Sequence, residues 1–422
     1  MDVRTVPFWT DDYSDTLPET PIPSTADVAV IGAGITGLTA ARVLARAGLA
    51  TAVVDALGVA EGASGVNAGM TIHGIKPPVG PLLHRFGELG HRLWKASMDA
   101  IDRVEHLVAL EGIDCSFARY GSAELGFTRR DVELLREEAR WSAEHLGFPM
   151  EVSTGADVHH VLNSDVFSIA LSDQVSGGLH PARYTFGLAR AALRSGVTVT
   201  EHAPVIDVHR DGTGYRILTG QGSFRARRVL VATNGYTGSL FPWIRRGVVP
   251  IGSYSIVTEP LPEHLAKELI PGGHMLWTAR RFLNYFRRTP DNRILLGGRR
   301  NLRPDLDLHE SGRDLHLRLL EIFPQLEPYE ITHSWGGRLA ATFDLLPHIG
   351  SRDGVWYAMG YGGHGVALGT YLGMDVAGMM TGELDTSPFA EIPHPTRWYY
   401  HKHPWFLPFA AWGYRFLDLI GR

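Results

Sequence analysis

The sequence predicts an α/β fold, α+β overall, in which a domain with a parallel sheet is interrupted by an inserted domain with an antiparallel sheet. Three observations favour this organisation. Residues 27–55 follow a strand–helix–strand pattern, and residues 183–235 return to the same pattern. Residues 247–300 are instead rich in strand signals, with Pro290–Arg293 as the turn of a hairpin. At 422 residues the chain exceeds the size that one core usually supports, so two domains are expected.

The first predicted unit is a strand, a helix and a second strand. Asp27–Ile31 is short and apolar, as a buried strand requires. Thr36–Ala47 carries helix formers and is followed by a glycine that ends the helix, and Ala50–Asp55 is again apolar. Residues 1–26, which precede this unit, are polar and rich in proline, and we expect them to form an extended arm.

Five later segments are assigned from periodicity and composition. Residues 82–112 and 129–147 have the helical spacing of apolar residues, with charged residues on the opposite face. Residues 183–235 contain a helix between strands, and residues 305–323 predict another helix. Residues 386–422 are unusually aromatic. We expect this tail to pack against its own protein, with docking on a membrane surface as the alternative.

Composition and charge exclude several functional classes. The net charge is −5, from 40 basic and 45 acidic residues without a basic run, which argues against a nucleic-acid partner. The single cysteine, Cys115, excludes an intrachain disulfide and cysteine-based redox, iron–sulfur and zinc sites. The histidine pairs His159/His160 and His401/His403 lack further ligands at helical spacing, so no metal site is predicted. Without a signal-peptide pattern or a long apolar run, a cytoplasmic protein is expected.

A glycine-rich turn follows the first strand. In Gly32-x-Gly34-x-x-Gly37 the three glycines are predicted to make the turn, to admit a pyrophosphate and to pack the helix on the strand. The positive end of the helix then faces the phosphates. Asp55 ends the second strand, where a carboxylate binds a ribose hydroxyl and repels the extra phosphate of NADP. The unit indicates a dinucleotide and leaves NAD and FAD open.

A second glycine cluster lies near the other end of the chain. Gly360–Gly365, with the sequence Gly-Tyr-Gly-Gly-His-Gly, precedes the helical pattern of Val366–Met380. Such a loop places backbone N–H groups and a helix N-terminus against an electron-rich group. The N1–C2 carbonyl edge of a flavin, which gains negative charge on reduction, is such a group. The alternative is a helix start that is simply buried against the sheet.

Three further segments complete a pattern. Gly62–Gly69 follows the second strand and is built of small residues, and a later strand ends in Ala232–Gly235. Trp335–Arg338 leads through residues 342–350 to the second glycine cluster. Taken in this order, the chain resembles the D-amino-acid-oxidase/glycine-oxidase/sarcosine-oxidase family of FAD enzymes over roughly residues 6–385. It looks closest to the gamma-glutamylputrescine-oxidase-like branch of that family.

The resemblance implies a Rossmann-like FAD-binding domain with an inserted antiparallel-sheet substrate domain. The implied divisions are an N-terminal arm (1–26), a discontinuous FAD-binding domain (27–80, 150–245 and 335–385), a substrate domain (81–149 and 246–334) and an aromatic C-terminal tail (386–422).

The cofactor implied by the resemblance is noncovalent FAD. The C-terminal cysteine that attaches the flavin in some relatives is absent, and the loop Gly62–Gly69 contains no histidine. The residues implied to bind FAD are Gly32, Gly34, Ile35, Thr36, Gly37, Asp55, Ala63, Ser64, Asn67, Ala68, Gly69, Val205, Thr233, Asn234, Gly235, Trp335, Arg338, Gly362, Gly363, His364, Gly365 and Val366.

Relatives oxidise a C–N bond. The resemblance implies hydride transfer from the carbon next to nitrogen to flavin N5, which gives an imine that water hydrolyses to an aldehyde and an amine. Hydrogen peroxide then forms from O2, so the expected partners are a small-molecule amine and O2. The alternatives are an amino-acid or N-methyl-amino-acid oxidase or dehydrogenase of the glycine or sarcosine type, and a flavin-binding protein without turnover.

The substrate class is predicted from what the chain lacks. Family members that take amino acids hold the carboxylate with a cation at positions that are Leu339, Gly363 and Ala367 here. Because a buried carboxylate without a partner is costly, an amine without an α-carboxylate is favoured. Arg338 lies one position from the glycine-oxidase arginine and would restore a clamp, or else it pairs with an acid at the sheet edge.

Four residues are predicted to act at the substrate: His364, Tyr254, Tyr285 and Arg338. His364 borders the flavin ring or else hydrogen-bonds within its own loop. Tyr254 and Tyr285 lie on predicted strands and would offer aromatic faces to a cationic amine, with plain core packing as the alternative.

Overall fold

The computed structural model of the protein describes residues 3–299, 301–400 and 403–419, with side chains described up to residue 413. Its helices are α1 (Phe8–Asp12), α2 (Ile35–Arg46), α3 (Ala63–Val66), α4 (Val79–Phe86), α5 (Glu88–Glu111), α6 (Arg129–Leu146), α7 (Pro181–Arg194), α8 (Pro242–Arg245), α9 (Glu263–Leu269), α10 (Leu308–Ile322), α11 (Ala367–Thr381) and α12 (Leu407–Leu419). Its strands are β1 (Thr25–Ile31), β2 (Thr51–Val54), β3 (Met70–Thr71), β4 (Ser122–Gly126), β5 (Glu151–Thr154), β6 (Ile169–Asp173), β7 (Gly177–Gly178), β8 (Thr198–Thr200), β9 (Val205–Asp211), β10 (Gly214–Thr219), β11 (Gly222–Val231), β12 (Val249–Thr258), β13 (Met275–Thr278), β14 (Tyr285–Arg288), β15 (Ile294–Gly298), β16 (Ile331–Ala341), β17 (His348–Arg352) and β18 (Val355–Met359).

The first sheet has the order β17-β18-β11-β1-β2-β8 and is parallel from β18 to β8. Alternation along β1 sends Val28 and Val30 to one face, against α2, α7 and α11, and Ala29 and Ile31 to the other. The hairpin β9–β10 covers that second face. Because parallel strands are buried on both faces, their sequences read as continuous apolar runs. The predicted Rossmann-like domain is confirmed.

The second sheet has the order β16-β12-β15-β14-β13-β4-β6-β5, in which only the pair β13–β4 is parallel. The predicted hairpin joins β14 to β15, and its turn includes Asn292 at φ +65°. Helix α10 packs on β12 and β16 over an apolar core. The expected inserted domain with an antiparallel sheet is therefore present.

Three segment boundaries differ from those we expected. Strand β6 pairs with β4 and with β5 in the second sheet, although residues 150–245 were assigned to the FAD-binding domain. Strand β16 also belongs to the second sheet, and it extends past residue 335. Helix α5, expected in the substrate domain, packs on α11 and buries Leu93 and Val104 in the first domain. Periodicity shows that a helix face is buried, but not against which domain.

Residues 1–26 are not simply an extended arm. Helix α1 buries Phe8 and Trp9, which are 3% and 1% exposed. A carboxylate oxygen of Asp11 lies 3.0 Å from Nε2 of His333 in β16, and one of Asp12 lies 3.1 Å from Nε2 of His180 before α7. The segment therefore joins the two domains, which its proline-rich sequence did not reveal.

The C-terminal tail packs against its own protein on one side only. Tyr400, Leu407 and Ala411 are buried with residues at the start of β12, as expected. Trp398 and Trp412, by contrast, are 86% and 72% exposed. The expectation that the tail packs against its own protein is thus confirmed on its inner side, while its outer side is left exposed.

Arg287 of β14 connects the second sheet to the loop after α3. Its guanidinium is fully buried, and Nη1 donates to the carbonyl oxygens of Gly69 and Leu179 at 2.9 and 3.1 Å. Burial lowers the pKa of Arg287 to about 10. The carbonyl of Gly69 also accepts the N–H of Leu179 at 2.8 Å, and the guanidinium adds a second donor that ties β14 to this loop.

We expect Arg287→Met to destabilise the protein by about 3 kcal/mol, because it removes buried hydrogen bonds from a charged donor to the carbonyls of Gly69 and Leu179. Denaturant unfolding with excess FAD measures the change. Arg288→Met, at the half-buried neighbouring position, is the control and should cost less than about 1 kcal/mol. Equal losses for the two variants would show that the buried contacts of Arg287 contribute nothing particular.

Candidate active site

A cavity of about 1010 Å³ extends from the first domain into the second. The predicted cofactor residues that line it are Gly32, Gly34, Ile35, Thr36, Asp55, Ala63, Ser64, Asn67, Ala68, Val205, Thr233, Asn234, Arg338, Gly362, Gly363, His364, Gly365 and Val366. Tyr285 also lines it, together with second-domain residues that include Glu124, Glu138 and Trp277. Gly37, Gly69, Gly235, Trp335 and Tyr254 are not part of the lining.

The first glycine turn depends on close backbone packing. Gly32 has φ +114°, and a Cβ there would lie 2.9 Å from the carbonyl oxygen of Ala232. A Cβ on Gly37 would lie 1.9 Å from the carbonyl oxygen of Gly32, so only glycine lets α2 start this close to β1. Gly34 makes room for Ser64, whose Oγ accepts the N–H of Ile35 at 3.0 Å.

Asp55 closes the same end of the cavity. Its carboxylate accepts the N–H of Ala33 at 2.6 Å and that of Leu57 at 2.8 Å. Burial raises the pKa of Asp55 in spite of these two donors. Lone pairs that remain on the carboxylate are available to ribose hydroxyls, as the sequence pattern predicts.

Hydrogen bonds from two side chains support the loop that follows β2. The amide of Asn67 donates to the carbonyls of Ala63 and Ser64 at 3.0 and 2.8 Å and accepts the N–H of Gly69 at 2.7 Å. The indole N–H of Trp335 donates to the carbonyl of Val66 at 2.8 Å. Trp335 and Gly69 therefore position lining residues without lining the cavity themselves.

The two glycine clusters meet in space. The hydroxyls of Thr36, in α2, and Tyr361, in the second cluster, lie 2.7 Å apart. Gly360 donates its N–H to Asn234 Oδ1 at 3.0 Å. Gly235 is needed one position later, because a Cβ there would lie 2.9 Å from the carbonyl oxygen of Arg338. Segments that lie far apart in the sequence thus form one wall of the cavity.

His364 lies on this wall as a neutral imidazole. Burial, together with the nearby positive charges of Lys76 and His73, lowers its pKa to about 3. Among the described residues, its buried Nδ1 has no hydrogen-bond partner. The alternative that this side chain hydrogen-bonds its own loop is therefore not supported at Nδ1.

The two predicted tyrosines have different positions. Tyr285 faces the cavity, and its hydroxyl lies 3.0 Å from Ser253 Oγ and 3.2 Å from Ser255 Oγ. Tyr254 is 2% exposed, donates to the carbonyl of Arg303 at 2.9 Å and accepts the N–H of Leu306 at 2.8 Å. Because side chains alternate along β12, Ser253 and Ser255 face the cavity and Tyr254 faces away. We therefore withdraw Tyr254 as a residue of the substrate wall.

Arg338 lies at the cavity on the exposed side of β16. Its guanidinium carbon is 5.8 Å from the centre of the Tyr236 ring. In the part of the chain that the structure describes, it forms no ion pair within 4.0 Å, so the expected pairing with an acid at the sheet edge is absent. Its role at the cofactor or the substrate stays a prediction.

The cavity lining also contains ionisable residues that were not predicted, among them Glu124, Lys76 and Glu138. Burial and nearby Glu138 raise the pKa of Glu124 to about 7, although the Trp277 indole and Lys76 act in the opposite sense. Burial lowers the pKa of Lys76 to about 8, and its side chain packs on Gly362. Burial also raises the pKa of Glu138. Glu124 could have been recognised from the sequence, because it is an acid within the apolar strand β4. Glu138 lies in a helix with many charged residues, where one more acid does not stand out.

Other sequence expectations concern cysteine and metal chemistry. Cys115 lies in the core of the first domain and not in the cavity lining, and burial raises its pKa to about 12. Noncovalent attachment of FAD stays a prediction. Within residues 3–299, 301–400 and 403–419, no group of three or more His, Cys, Asp or Glu side chains is placed to hold a metal ion. His401 lies outside these residues.

The wall is suited to a dinucleotide that ends in an aromatic ring system. At the first turn, glycines leave room for a ligand to approach the backbone where a Cβ would block it, and the carboxylate of Asp55 offers hydrogen-bond acceptors. At the second, Gly362 and Gly363 have φ +61° and +118°, and the buried Nδ1 of His364 is unsatisfied. These features fit the two ends of FAD.

Comparison with known proteins defines the class. Residues 27–379 match the family model described as FAD dependent oxidoreductase, DAO, and the chain therefore belongs to that family. It is an FAD-dependent oxidoreductase, as the resemblance in the sequence implies.

Particular relatives extend over most of the chain. It is 32% identical over 365 residues to the probable oxidoreductase OrdL of Haemophilus influenzae, covering 85% of this chain and 83% of that protein. It is 29% identical over 384 residues to the gamma-glutamylputrescine oxidoreductase of Escherichia coli, covering 90% and 89%. The crystal structure of glycine oxidase from Geobacillus kaustophilus superposes with a TM-score of 0.73 at 23% identity, covering 88% and 100%. This last likeness concerns the fold.

We expect Gly37→Ala to raise the dissociation constant of FAD by about tenfold or more, equivalent to ~1.4 kcal/mol, because the added Cβ displaces the first glycine turn. Titration of the apoprotein with FAD, followed by flavin fluorescence, measures it. Ala45→Gly weakens the same helix by about 1 kcal/mol, away from the turn, and serves as the control. If both variants bind FAD equally well, the close packing of Gly37 is not what shapes the site.

Proposed function

We propose that this protein oxidises an amine at its C–N bond and releases an imine, which water hydrolyses to an aldehyde and an amine. Bound FAD supplies the hydride acceptor at flavin N5 and the site at which O2 becomes hydrogen peroxide. The observation that carries the proposal is the pair of carboxyl groups, Glu124 and Glu138, at the second-domain end of the cavity.

The surroundings of Glu124 favour a cationic ligand. Among the described residues, neither Glu124 nor Glu138 forms an ion pair within 4.0 Å, so an ammonium group would supply the charge partner. Trp277 and Tyr285 line the same end and offer aromatic faces, which also attract cations. The name of the Escherichia coli relative, gamma-glutamylputrescine oxidoreductase, agrees with an amine substrate.

Proton removal is the second task of this end of the cavity. An amine must lose its ammonium proton before hydride leaves the neighbouring carbon. Glu124 and Lys76, with pKa values of about 7 and about 8, both exchange protons near neutral pH. We assign acceptance of the proton to Glu124 and Lys76, and binding of the ammonium group to the carboxylates of Glu124 and Glu138.

A second candidate function, oxidation of an amino acid or N-methyl amino acid, is favoured by the cations that line the cavity. Lys76 and Arg280 line the cavity although the family's clamp positions, Leu339, Gly363 and Ala367, carry no cation. Arg280 lies 3.5 Å from Asp131 and is partly neutralised by it. Arg338 also lines the cavity, so Lys76 and Arg338 are the cations best placed to hold a substrate carboxylate in that case.

Anaerobic mixing of the FAD-loaded protein with an amine panel tests the proposal. We expect primary and secondary alkylamines, diamines in particular, to bleach the flavin absorbance, and peroxide to form when air is admitted. Bleaching by glycine or sarcosine alone would favour the second function. No bleaching by any member would favour a flavin-binding protein without turnover.

Glu124→Gln should raise the KM for an amine on the order of tenfold at pH 8, since a charge-assisted contact is lost. In the unchanged protein, Glu124 is protonated below about pH 7 and ionised above it, so KM should fall as pH rises through this value. The variant should lose this dependence. Glu137→Gln, on the exposed side of α6, is the matched control. A pH profile that is the same in both variants would contradict the role given to Glu124.

A further inference from the structure

A cluster of buried polar side chains lies beside the cavity. His73, in the loop after β3, lines the cavity, and its Nδ1 lies 3.3 Å from Oδ2 of Asp173 and 3.2 Å from Oγ of Ser176. Ser122 donates its hydroxyl to the same Oδ2. Asp173 and Ser122 are both buried. The cluster therefore connects an interior carboxylate to a side chain in the wall of the cavity.

Asp173 is held as a carboxylate. Its Oδ1 accepts the N–H groups of Val175 and Ser176 at 2.8 and 2.7 Å. Burial acts to raise the pKa of Asp173, but the hydrogen bonds and charge of His73 and the hydrogen bond of Ser122 lower it to about 2. An ionised carboxylate beside Nδ1 of His73 favours a proton on that nitrogen. The lone pair of the neutral ring is then on Nε2, which has no hydrogen-bond partner among the described residues.

Aromatic packing fixes the orientation of the imidazole. The ring centres of Trp94 and Phe148 lie 5.6 and 5.1 Å from that of His73, and 5.6 Å from each other. Trp94, in α5, lines the cavity as well. With Nδ1 held by Asp173 and the ring enclosed by two aromatic side chains, Nε2 is directed away from Asp173. A basic nitrogen held in one direction is suited to proton transfer.

The cluster and Glu124 lie on the same face of the second sheet. Ser122 and Glu124 are two residues apart in β4, so their side chains point to one side, about 7 Å apart along the strand. Asp173 in β6 is directly opposite Ser122 and shares that side. Glu138 reaches the cavity from α6, which packs on β4 and β6. The two acids of the cavity and the pair His73–Asp173 are thus neighbours.

The charges of these side chains act on one another in order. Burial and the nearby charge of Glu138 raise the pKa of Glu124 to about 7. Burial raises the pKa of Glu138, and the positive charge of His73 opposes this rise. The charge of His73 also acts on His364, in the second glycine cluster. Glu138 is therefore close to both Glu124 and His73, so a proton on one carboxyl group has an acceptor nearby.

We propose that His73 carries the ammonium proton of the substrate out of the reaction site, with Asp173 as its positioning residue. The N–H bond of the ammonium group breaks and an O–H bond forms at Glu124. Glu138 takes up this proton and passes it to the lone pair on Nε2 of His73. The carboxylate of Asp173 stabilises the resulting imidazolium, and loss of the proton to water restores the neutral ring without any transfer of electrons.

This proposal rests on the proposed function only in requiring a substrate with an ammonium group. Both candidate functions supply one, because an amine and an amino acid each lose an ammonium proton before the C–N bond is oxidised.

Stopped-flow bleaching of the FAD-loaded protein by the most reactive member of the amine panel tests the proposal. We expect His73→Gln to lower the rate constant at saturating amine about tenfold or more, with less than about a twofold change in the half-saturating concentration. The amide of Gln offers a donor to Asp173 but carries no proton onward. His73→Ala should regain rate when imidazole is added to the solution.

His274→Gln is the matched control. His274 is a half-buried histidine on which the charge of Asp173 also acts, but it does not line the cavity, so the rate constant should not change. Asp173→Asn should lower the rate constant about tenfold by itself and have no further effect in His73→Gln, because Asp173 acts through His73. Retained FAD absorbance and an unchanged melting temperature establish that each variant is folded. If Asp173→Asn does not fold, the two His73 variants decide the outcome.

Three results would overturn the proposal and leave the proposed function intact. The first is equal rate constants for His73→Gln and the unchanged protein. The second is a loss in His73→Ala that imidazole does not restore, which would assign a packing role to the ring. The third is a further loss when Asp173→Asn is added to His73→Gln, which would make Asp173 purely structural. Failure of every amine and amino acid to bleach the unchanged protein would overturn the proposed function and this proposal together.

Discussion

The close approach of helices α2 and α11 is the constraint on which the rest of the structure depends. A Cβ on Gly373 would lie 2.7 Å from the carbonyl oxygen of Thr36, and one on Gly369 would lie 3.1 Å from its hydroxyl oxygen. With the backbones this close, the hydroxyl of Tyr361 meets that of Thr36. Two glycine turns at opposite ends of the chain thereby become one wall. A larger residue in this seam would separate them.

Around that wall, supporting and lining residues are distinct sets. Trp335 and Arg287 come from the second sheet, and each donates a hydrogen bond to a carbonyl in the loop after β2. Asn234 accepts the N–H of Gly360 and so joins two loops of the first domain. The shape of the cavity therefore depends on both sheets keeping their relative position. The N-terminal segment, through Asp11 and Asp12, adds a third connection between them.

Local patterns in the sequence were enough to predict what local structure decides. Gly32, Gly37 and Asp55 stand in one strand–turn–helix–strand unit, so their spacing alone defines the dinucleotide end. The second glycine cluster by itself predicted backbone donors facing an electron-rich group, but its assignment to FAD needed the family pattern, because nothing in its own sequence says which sheet it adjoins. The pair Glu124 and Lys76 comes from two distant segments and has no spacing to detect.

The errors also have physical causes. Tyr254 was placed on the wrong face of its strand. Side chains alternate along a strand, so Tyr254 and its neighbour Ser255 lie on opposite sides of the sheet. Helix α5 has the same periodicity whichever domain it covers. The boundary near residue 150 was misplaced because only the pairing of β6 with β4 shows that the short strands β5 and β6 belong to the second sheet, and this pairing has no local signal in the sequence.

The buried cysteine has a consequence for durability. A thiol that stays protonated reacts slowly with peroxide, and Cys115 is both enclosed and held protonated at neutral pH. The peroxide that the proposed activity would generate beside the flavin would therefore spare this thiol. Oxidative ageing would fall instead on the thioethers of Met70 and Met150, which line the cavity, and their sulfoxides would make its apolar part polar.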